Sequence, residues 1–249
     1  MKTVGIIPAR IGSDVVPAKV LTDLGGKPVI QHVYERTIAS PSVDAVLIAA
    51  DDQRIIDVAG KFGARTFRSQ QNHVCGSDRC AEAAHALFPD AEVVVNVQAD
   101  EPFLNTAMIS RVVEPLVIES AWDMTTLCCP CHDHTAANSP FNVKVVRSTK
   151  TSRAIYFSRA VIPFPRDGQG PDLLQHIGIY GYRASALQKF ADFGPSELEL
   201  TEGLEQLRAL EAEMRIKVIV TEIDYPRISI DTHEDLEKAR QFILGNYSR

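Results

Sequence analysis

The run Glu92-Val93-Val94-Val95-Asn96-Val97 constrains the fold of this chain more than any other segment. Its apolar residues are continuous rather than alternating, which suits a parallel strand covered on both faces. The segments around it follow the same logic. Strand patterns at 3–7 and 43–50 alternate with helical spacing at 28–36, 52–62, 78–87 and 106–119, the first of these opening on Pro28 in an N1-like position. From about Trp122 to Arg183 the pattern changes, with strand-like pieces at 124–131, 142–147, 154–158 and 177–182 and little helix between them. The chain then predicts a helix over 201–213, a strand over 216–223, a last strand over 228–231, and a final helix capped by Thr232 with Asp235 three residues on.

Together these elements predict one α/β domain over residues 1–249. It is an open, mostly parallel sheet with helices on both faces, carrying a strand-rich lobe at about 122–183. At 249 residues the chain is long enough to bury a core without disulfide or metal staples. Hydrophobic residues at 45% and charged residues at 23% exclude a disordered or collagen-like chain. A net charge of -6 argues against a nucleic-acid backbone as partner, although local basic residues still allow an anionic substrate. No apolar run approaches the ~20 residues that span a bilayer, and the N-terminus runs straight into a strand without a signal-peptide core, so a cytoplasmic protein is expected.

Three of the five cysteines fall in Cys128-Cys129-Pro130-Cys131-His132-Asp133-His134. These are ligand types that zinc prefers. Adjacent residues on an extended chain point to opposite faces, however, and no second C-x-x-C pair completes a site, so burial as small hydrophobes is the better reading.

Chemistry concentrates at the ends of strands, where ligands bind in open α/β sheets. The loop Pro8-Ala9-Arg10-Ile11-Gly12-Ser13-Asp14-Val15-Val16-Pro17-Ala18-Lys19 offers two cations, a glycine and a serine hydroxyl, the parts needed to hold a polyphosphate. It matches neither a P-loop nor G-x-G-x-x-G. Asp100 follows the strongest strand and Asp231 follows the last one; carboxylates there are hard oxygen ligands of the kind Mg²⁺ takes alongside phosphate. Metal-assisted phosphoryl or nucleotidyl transfer is the best physical reading of these residues, and a nucleotide- or sugar-binding module without chemistry is the alternative.

Over nearly its whole length the sequence resembles the 3-deoxy-manno-octulosonate (Kdo) cytidylyltransferases. The resemblance rests on Ile7-Pro8-Ala9-Arg10, Gly12-Ser13, Lys19, Gly26-Lys27-Pro28, Gly76-Ser77-Asp78-Arg79 and Asn96-Val97-Gln98-Ala99-Asp100-Glu101-Pro102. It continues through Val143-Lys144-Val145-Val146, Tyr156-Phe157-Ser158-Arg159, the segment from His176 to Arg183, Leu204-Glu205-Gln206-Leu207-Arg208 and Asp231-Thr232. It implies a Rossmann-like nucleotidyltransferase fold and a homodimer paired through the strand-rich lobe. The implied reaction takes CTP and a 3-deoxy-2-ulosonic acid to a CMP-sugar and pyrophosphate. By the same resemblance, Arg10, Ser13 and Lys19 hold the triphosphate, while Pro8, Ala9, Gly76, Arg79 and Gln98 line the nucleotide side. Asp100 and Asp231 carry Mg²⁺, and together with Lys19 they form the catalytic set. Arg159, His176, Tyr180, Glu205 and Gln206 surround the sugar acid, with the cationic groups facing its carboxylate.

The chain departs from the family pattern on the nucleotide side. Where the family loop reads S-T-R-L-P-G-K-P-L, this chain has Val15 in place of the arginine and Asp14 beside it. Losing a charge-assisted phosphate contact costs ~1.5–3 kcal/mol. Ala99 and Ala50 replace the glycine of Q-G-D and the threonine before Asp51. These changes leave two outcomes open beside Kdo itself. One is another acidic acceptor: 8-amino-Kdo, a nonulosonic acid or a phosphonate such as phosphonoformate. The other is a catalytically weakened nucleotide-binding paralogue.

Overall fold

The computed structural model describes residues 2–12, 16–70, 72–132, 137–166 and 172–247. Ser13, Asp14 and Val15, and Asp133 and His134 of the cysteine-rich segment, lie outside the described residues.

The strands are β1 (Thr3–Ala9), β2 (Asp23–Leu24), β3 (Lys27–Pro28), β4 (Ala45–Ala50), β5 (Thr66–Arg68) and β6 (Val93–Val97). They continue with β7 (Met124–Cys131), β8 (Lys144–Arg147), β9 (Ala154–Ser158), β10 (Leu173–Arg183) and β11 (Ile216–Val220). The helices are α1 (Val29–Ile38), α2 (Gln53–Lys61), α3 (Gly76–Leu87), α4 (Thr106–Ile118), α5 (Ala184–Phe193), α6 (Glu197–Glu202), α7 (Glu205–Glu211) and α8 (His233–Tyr247). Among the described residues, nine strands form one sheet whose main path runs β11-β7-β10-β6-β1-β4-β5. Strands β6, β1, β4 and β5 are parallel to one another. Strand β10 runs antiparallel to both β6 and β7, and β11 lies parallel to β7. The β8–β9 hairpin hangs from β10 through the Gln175–Lys144 pair.

The chain builds outward from β1 to β4 and β5, then returns through α3 to place β6 on the other side. The loops after β1 and β6 therefore part and leave a crevice at their carboxyl ends. Two apolar layers cover the sheet. Val4, Ile6, Val94 and Cys128 face one layer with Cys80 and Ala83 of α3 and Phe190 of α5. Ile7, Val93, Val95, Val97 and Cys129 face the other with Val33, Ile55, Met108 and Leu116. Cys128 and Cys129 thus point to opposite faces, as period-two side-chain alternation requires. Asn96, the one polar residue within β6, is fully buried. At Gly181 an added Cβ would stand 2.5 Å from Thr125 Oγ1 and 2.7 Å from the Val112 carbonyl, so α4 can rest directly on β10 only because this residue is glycine.

Three expectations are corrected. The single helix expected over 201–213 is two helices, because Gly203 adopts a left-handed conformation (φ 61) that ends α6, while a Ser196–Glu199 capping box starts α6 at Glu197. The last strand expected over 228–231 does not form. Its alternating Ile228 and Ile230 pack instead against Leu24, Val29, Phe103 and Leu236, and Ile230 N–H bonds to the Asp100 carbonyl at 3.0 Å. Helix α5 has no counterpart in the sequence reading. The capping box at α8 is present: Thr232 N–H donates to Asp235 at 2.9 Å and Asp235 N–H returns to Thr232 Oγ1 at 3.2 Å. Among the described residues no helix is long and apolar enough to cross a membrane.

Candidate active site

A cleft of about 590 Å³ opens at the carboxyl ends of β1 and β6. Its lining includes Pro8 and Arg10 from the end of β1, Lys19, Gly76 and Arg79 from the first turn of α3, and Gln98 and Asp100 beyond β6. His176 and Tyr180 of β10, Glu205 and Gln206 of α7, and Asp231 close it.

Lys19 follows Ala18, whose left-handed backbone (φ 52) turns the chain into a short 3-10 turn over Lys19–Leu21. Lys19 Nζ then reaches Asp100 Oδ2 at 2.6 Å and Asp231 Oδ1 at 2.9 Å. Burial opposes the ammonium charge, but the two carboxylates outweigh it and hold the Lys19 pKa above its ordinary value. Two aspartates 131 positions apart therefore converge on one cationic atom. Burial, with Asp100 and Asp231 close by, pushes the neighbouring Glu101 carboxyl up to about 8.

On the β1 side of the cleft, Asp51 pins the loop after β1: Ile11 N–H donates to its Oδ1 at 3.0 Å, and its own N–H donates to the Ala9 carbonyl at 3.2 Å. Arg79 is 5% exposed and 3.9 Å from Asp51, and its Nε–H has no partner among the described residues. A buried donor left open at a cleft wall is suited to a ligand oxygen. Gln98 Nε2 donates to Asn96 Oδ1 at 3.0 Å, and Asn96 Nδ2 donates to Ser77 Oγ at 3.1 Å. Ser77 Oγ also meets the Tyr182 hydroxyl at 3.0 Å.

The opposite wall is built from β10 and α7. Ser77 N–H donates to Glu205 Oε2 at 3.1 Å, and burial raises the Glu205 pKa. The Tyr180 hydroxyl donates to Gln206 Oε1 at 3.2 Å, leaving Gln206 Nε2 buried without a partner among the described residues. His176 Nε2 lies 2.9 Å from Thr126 Oγ1. The Thr126 proton is directed to the Ile179 carbonyl at 2.8 Å, so the imidazole Nε2–H is the donor and Nδ1 is left as an acceptor. Burial depresses the His176 pKa to about 3, which makes it a neutral ring near pH 7. Behind this wall, Arg208 is fully buried between Asp78 at 2.6 Å and Glu199 at 2.7 Å, with its guanidinium over the Phe190 ring.

Two expected site residues do not line the cleft. Ala9 is fully buried within β1. The Arg159 guanidinium donates to the carbonyls of Glu202 at 2.6 Å, Pro140 at 2.7 Å and Gly203 at 3.2 Å, so it ties the 140 loop to the α6–α7 turn. Ser13 lies outside the described residues. Conversely, His73, Asn142, Gln175, Tyr225 and Arg227 line the cleft without having been singled out in the sequence. They come from loops and from a strand whose start lies four residues earlier than expected. Only the proximity of Tyr225 and Arg227 to Asp231 could have drawn attention to them.

The cytidylyltransferase family profile matches residues 4–216. The 3-deoxy-manno-octulosonate cytidylyltransferase of Syntrophobacter fumaroxidans is 45% identical over 240 residues, covering 95% of each chain. The enzyme of the same name from Haemophilus influenzae is 39% identical over 253 residues, with 97% of this chain and 98% of the relative covered. A solved structure of CMP:2-keto-3-deoxy-manno-octonic acid synthetase complexed with CTP superposes with a TM-score of 0.91 at 36% identity, covering 99% of this chain and 100% of that one. An open α/β sheet with this crevice and these relatives defines a nucleotidyltransferase. More narrowly, the chain belongs to the cytidylyltransferase family and, within it, to the 3-deoxy-manno-octulosonate cytidylyltransferases.

Proposed function

We propose that this protein transfers the cytidylyl group of CTP to the anomeric hydroxyl of 3-deoxy-manno-octulosonate, giving CMP-Kdo and pyrophosphate. The observation that carries this reading is the convergence of Asp100 and Asp231 on Lys19 at the mouth of the cleft. In the reaction the sugar oxygen bonds to the α-phosphorus, the bond to the pyrophosphate oxygen breaks, and the hydroxyl proton leaves to solvent. No side-chain nucleophile is needed, and catalysis rests on positioning and charge neutralisation. Two hard carboxylate oxygens that share one cation fit Mg²⁺, which Asp100 and Asp231 would hold. When bound, the metal lowers the pKa of the attacking hydroxyl and neutralises phosphate charge.

The chain's own residues then divide the work. Arg10 and Lys19 face the triphosphate, with Ser13 in the same loop. Pro8, Gly76, Arg79 and Gln98 bound the nucleoside, the Arg79 Nε–H supplying an open donor. His176 offers Nδ1 and Gln206 its unpaired amide to sugar hydroxyls, beside Tyr180 and Glu205. The same reading makes the chain a single catalytic domain that acts in the cytoplasm as a homodimer. The exposed Phe141, Ile155 and Phe164 of the 122–183 region support pairing through that lobe. The deciding assay is pyrophosphate release from CTP and Mg²⁺ with Kdo, beside phosphonoformate and a no-acceptor control. Release with Kdo supports the proposal, and release with phosphonoformate alone transfers it to another acid.

A further inference from the structure

The carboxylate of a 3-deoxy-2-ulosonic acid sits on the same carbon as the hydroxyl that attacks phosphorus. Whatever holds that carboxylate must therefore lie close to Asp100 and Asp231. The cations around the cleft are mostly committed elsewhere. Lys19 is paired to both aspartates. Arg79 sits beside Asp51 on the nucleotide wall. Arg159 spends its guanidinium on three backbone carbonyls and does not reach the cleft lining. His176 is a neutral ring, and Arg10 stands at the end of β1 on the triphosphate side.

Arg227 differs from Lys19, Arg79 and Arg159 in being unpaired, and from Arg10, which is also exposed and unpaired among the described residues, in belonging to the segment that leads to Asp231 rather than to the end of β1. It is exposed, it lines the cleft four residues before Asp231, and it makes no hydrogen bond or ion pair among the described residues. It stands near Cys129 and Tyr225, where its charge favours their ionised forms. Cys129 in turn backs onto the Gln175 carbonyl of β10, one residue from His176, so this is the acceptor end of the cleft. An unpaired guanidinium offers a planar fork that matches a carboxylate.

We infer that Arg227 anchors the carboxylate of the acid acceptor beside the paired aspartates, and so selects acids that carry the anion next to the reacting hydroxyl. The inference rests on the reading of the site as an acid-sugar cytidylyltransferase. The test is steady-state kinetics of the full chain, Arg227→Gln and Arg227→Lys, with CTP and Kdo varied separately. Arg227→Gln raises the acceptor KM about 10- to 100-fold, leaves the CTP KM within about twofold, and Arg227→Lys recovers part of the loss. With the methyl ester of the acceptor, wild type and Arg227→Gln become equally poor. An unchanged acceptor KM, a loss confined to CTP, or a lysine variant as impaired as the glutamine one overturns the inference alone. Silence of the wild type with every acid tried overturns the underlying reading, and the inference with it.

Discussion

Gln98 donates its amide hydrogen to Asn96 Oδ1 at 3.0 Å, which turns the Gln98 Oε1 into the available acceptor at the cleft wall. Asn96 is fully buried and donates onward to Ser77, whose backbone N–H holds Glu205 on the opposite wall. If Asn96 acts on nucleotide binding only by orienting Gln98, Asn96→Leu weakens CTP binding about tenfold in wild type and has no further effect in Gln98→Ala. Calorimetric titration of CTP into the four proteins of that cycle measures this. Losses that multiply would show that the two residues act independently.

Asp100→Ala and Asp231→Ala are each expected to reduce divalent-metal-dependent pyrophosphate release to background. The Asp231 side chain is 54% exposed, so its removal should change stability by no more than about 0.5 kcal/mol. A normal melting temperature with lost turnover places the defect in the chemistry. Near-normal rates in either variant would end the metal assignment.

His176 makes stability depend on pH in a defined window. Its folded-state pKa is about 3, against ~6.5 in an unfolded chain. The unfolded chain takes up a proton that the folded state refuses, so this contribution is complete above about pH 6.5 and is lost as pH falls toward 3. Between pH 6.5 and 5 the loss is ~2 kcal/mol. Urea midpoints across that range should be flatter for His176→Gln than for wild type, and parallel curves would contradict the neutral buried ring. The activity profile should likewise carry no His176 step between pH 5 and 8.

Much of this architecture was legible in the sequence because it rests on patterns of burial. The valine run of β6 and the alternation through Cys128 and Cys129 report directly on two covered faces. Ile228 and Ile230 misled for the same reason. Alternating apolar residues predict burial on one side, but not whether the partner is a ladder or a helix, and here it is α8 and its neighbours. At the site, Asp100 could be found by its position after β6, whereas Asp231 follows an expected strand that does not form. Arg159 could not be sorted from Arg227, because a motif gives a side chain's identity and not which carbonyls claim its protons.

Arg208→Met should be among the most damaging substitutions away from the cleft surface. It strands the carboxylates of Asp78 and Glu199 beside an apolar ring, and removing one partner of a buried ion pair costs about 3–5 kcal/mol. Chemical denaturation measures it. A loss below about 1 kcal/mol would mean that water reaches this network.

The two walls of the cleft differ in how they are fastened. His176 and Tyr180 stand on a strand laddered to neighbours on both sides, whereas residues 222–229 join no strand, and the segment is tied to the paired aspartates by the Ser229 hydroxyl on Asp231 at 3.4 Å and by the Ile230 N–H on the Asp100 carbonyl at 3.0 Å. Ile223, Tyr225 and Ile228 of that strap pack on the apolar layers, but its exposed positions, Arg227 among them, can change without disturbing the sheet. A lineage could exchange one acid for another by rewriting a few residues around Arg227, while the machinery that splits the triphosphate is inherited unchanged.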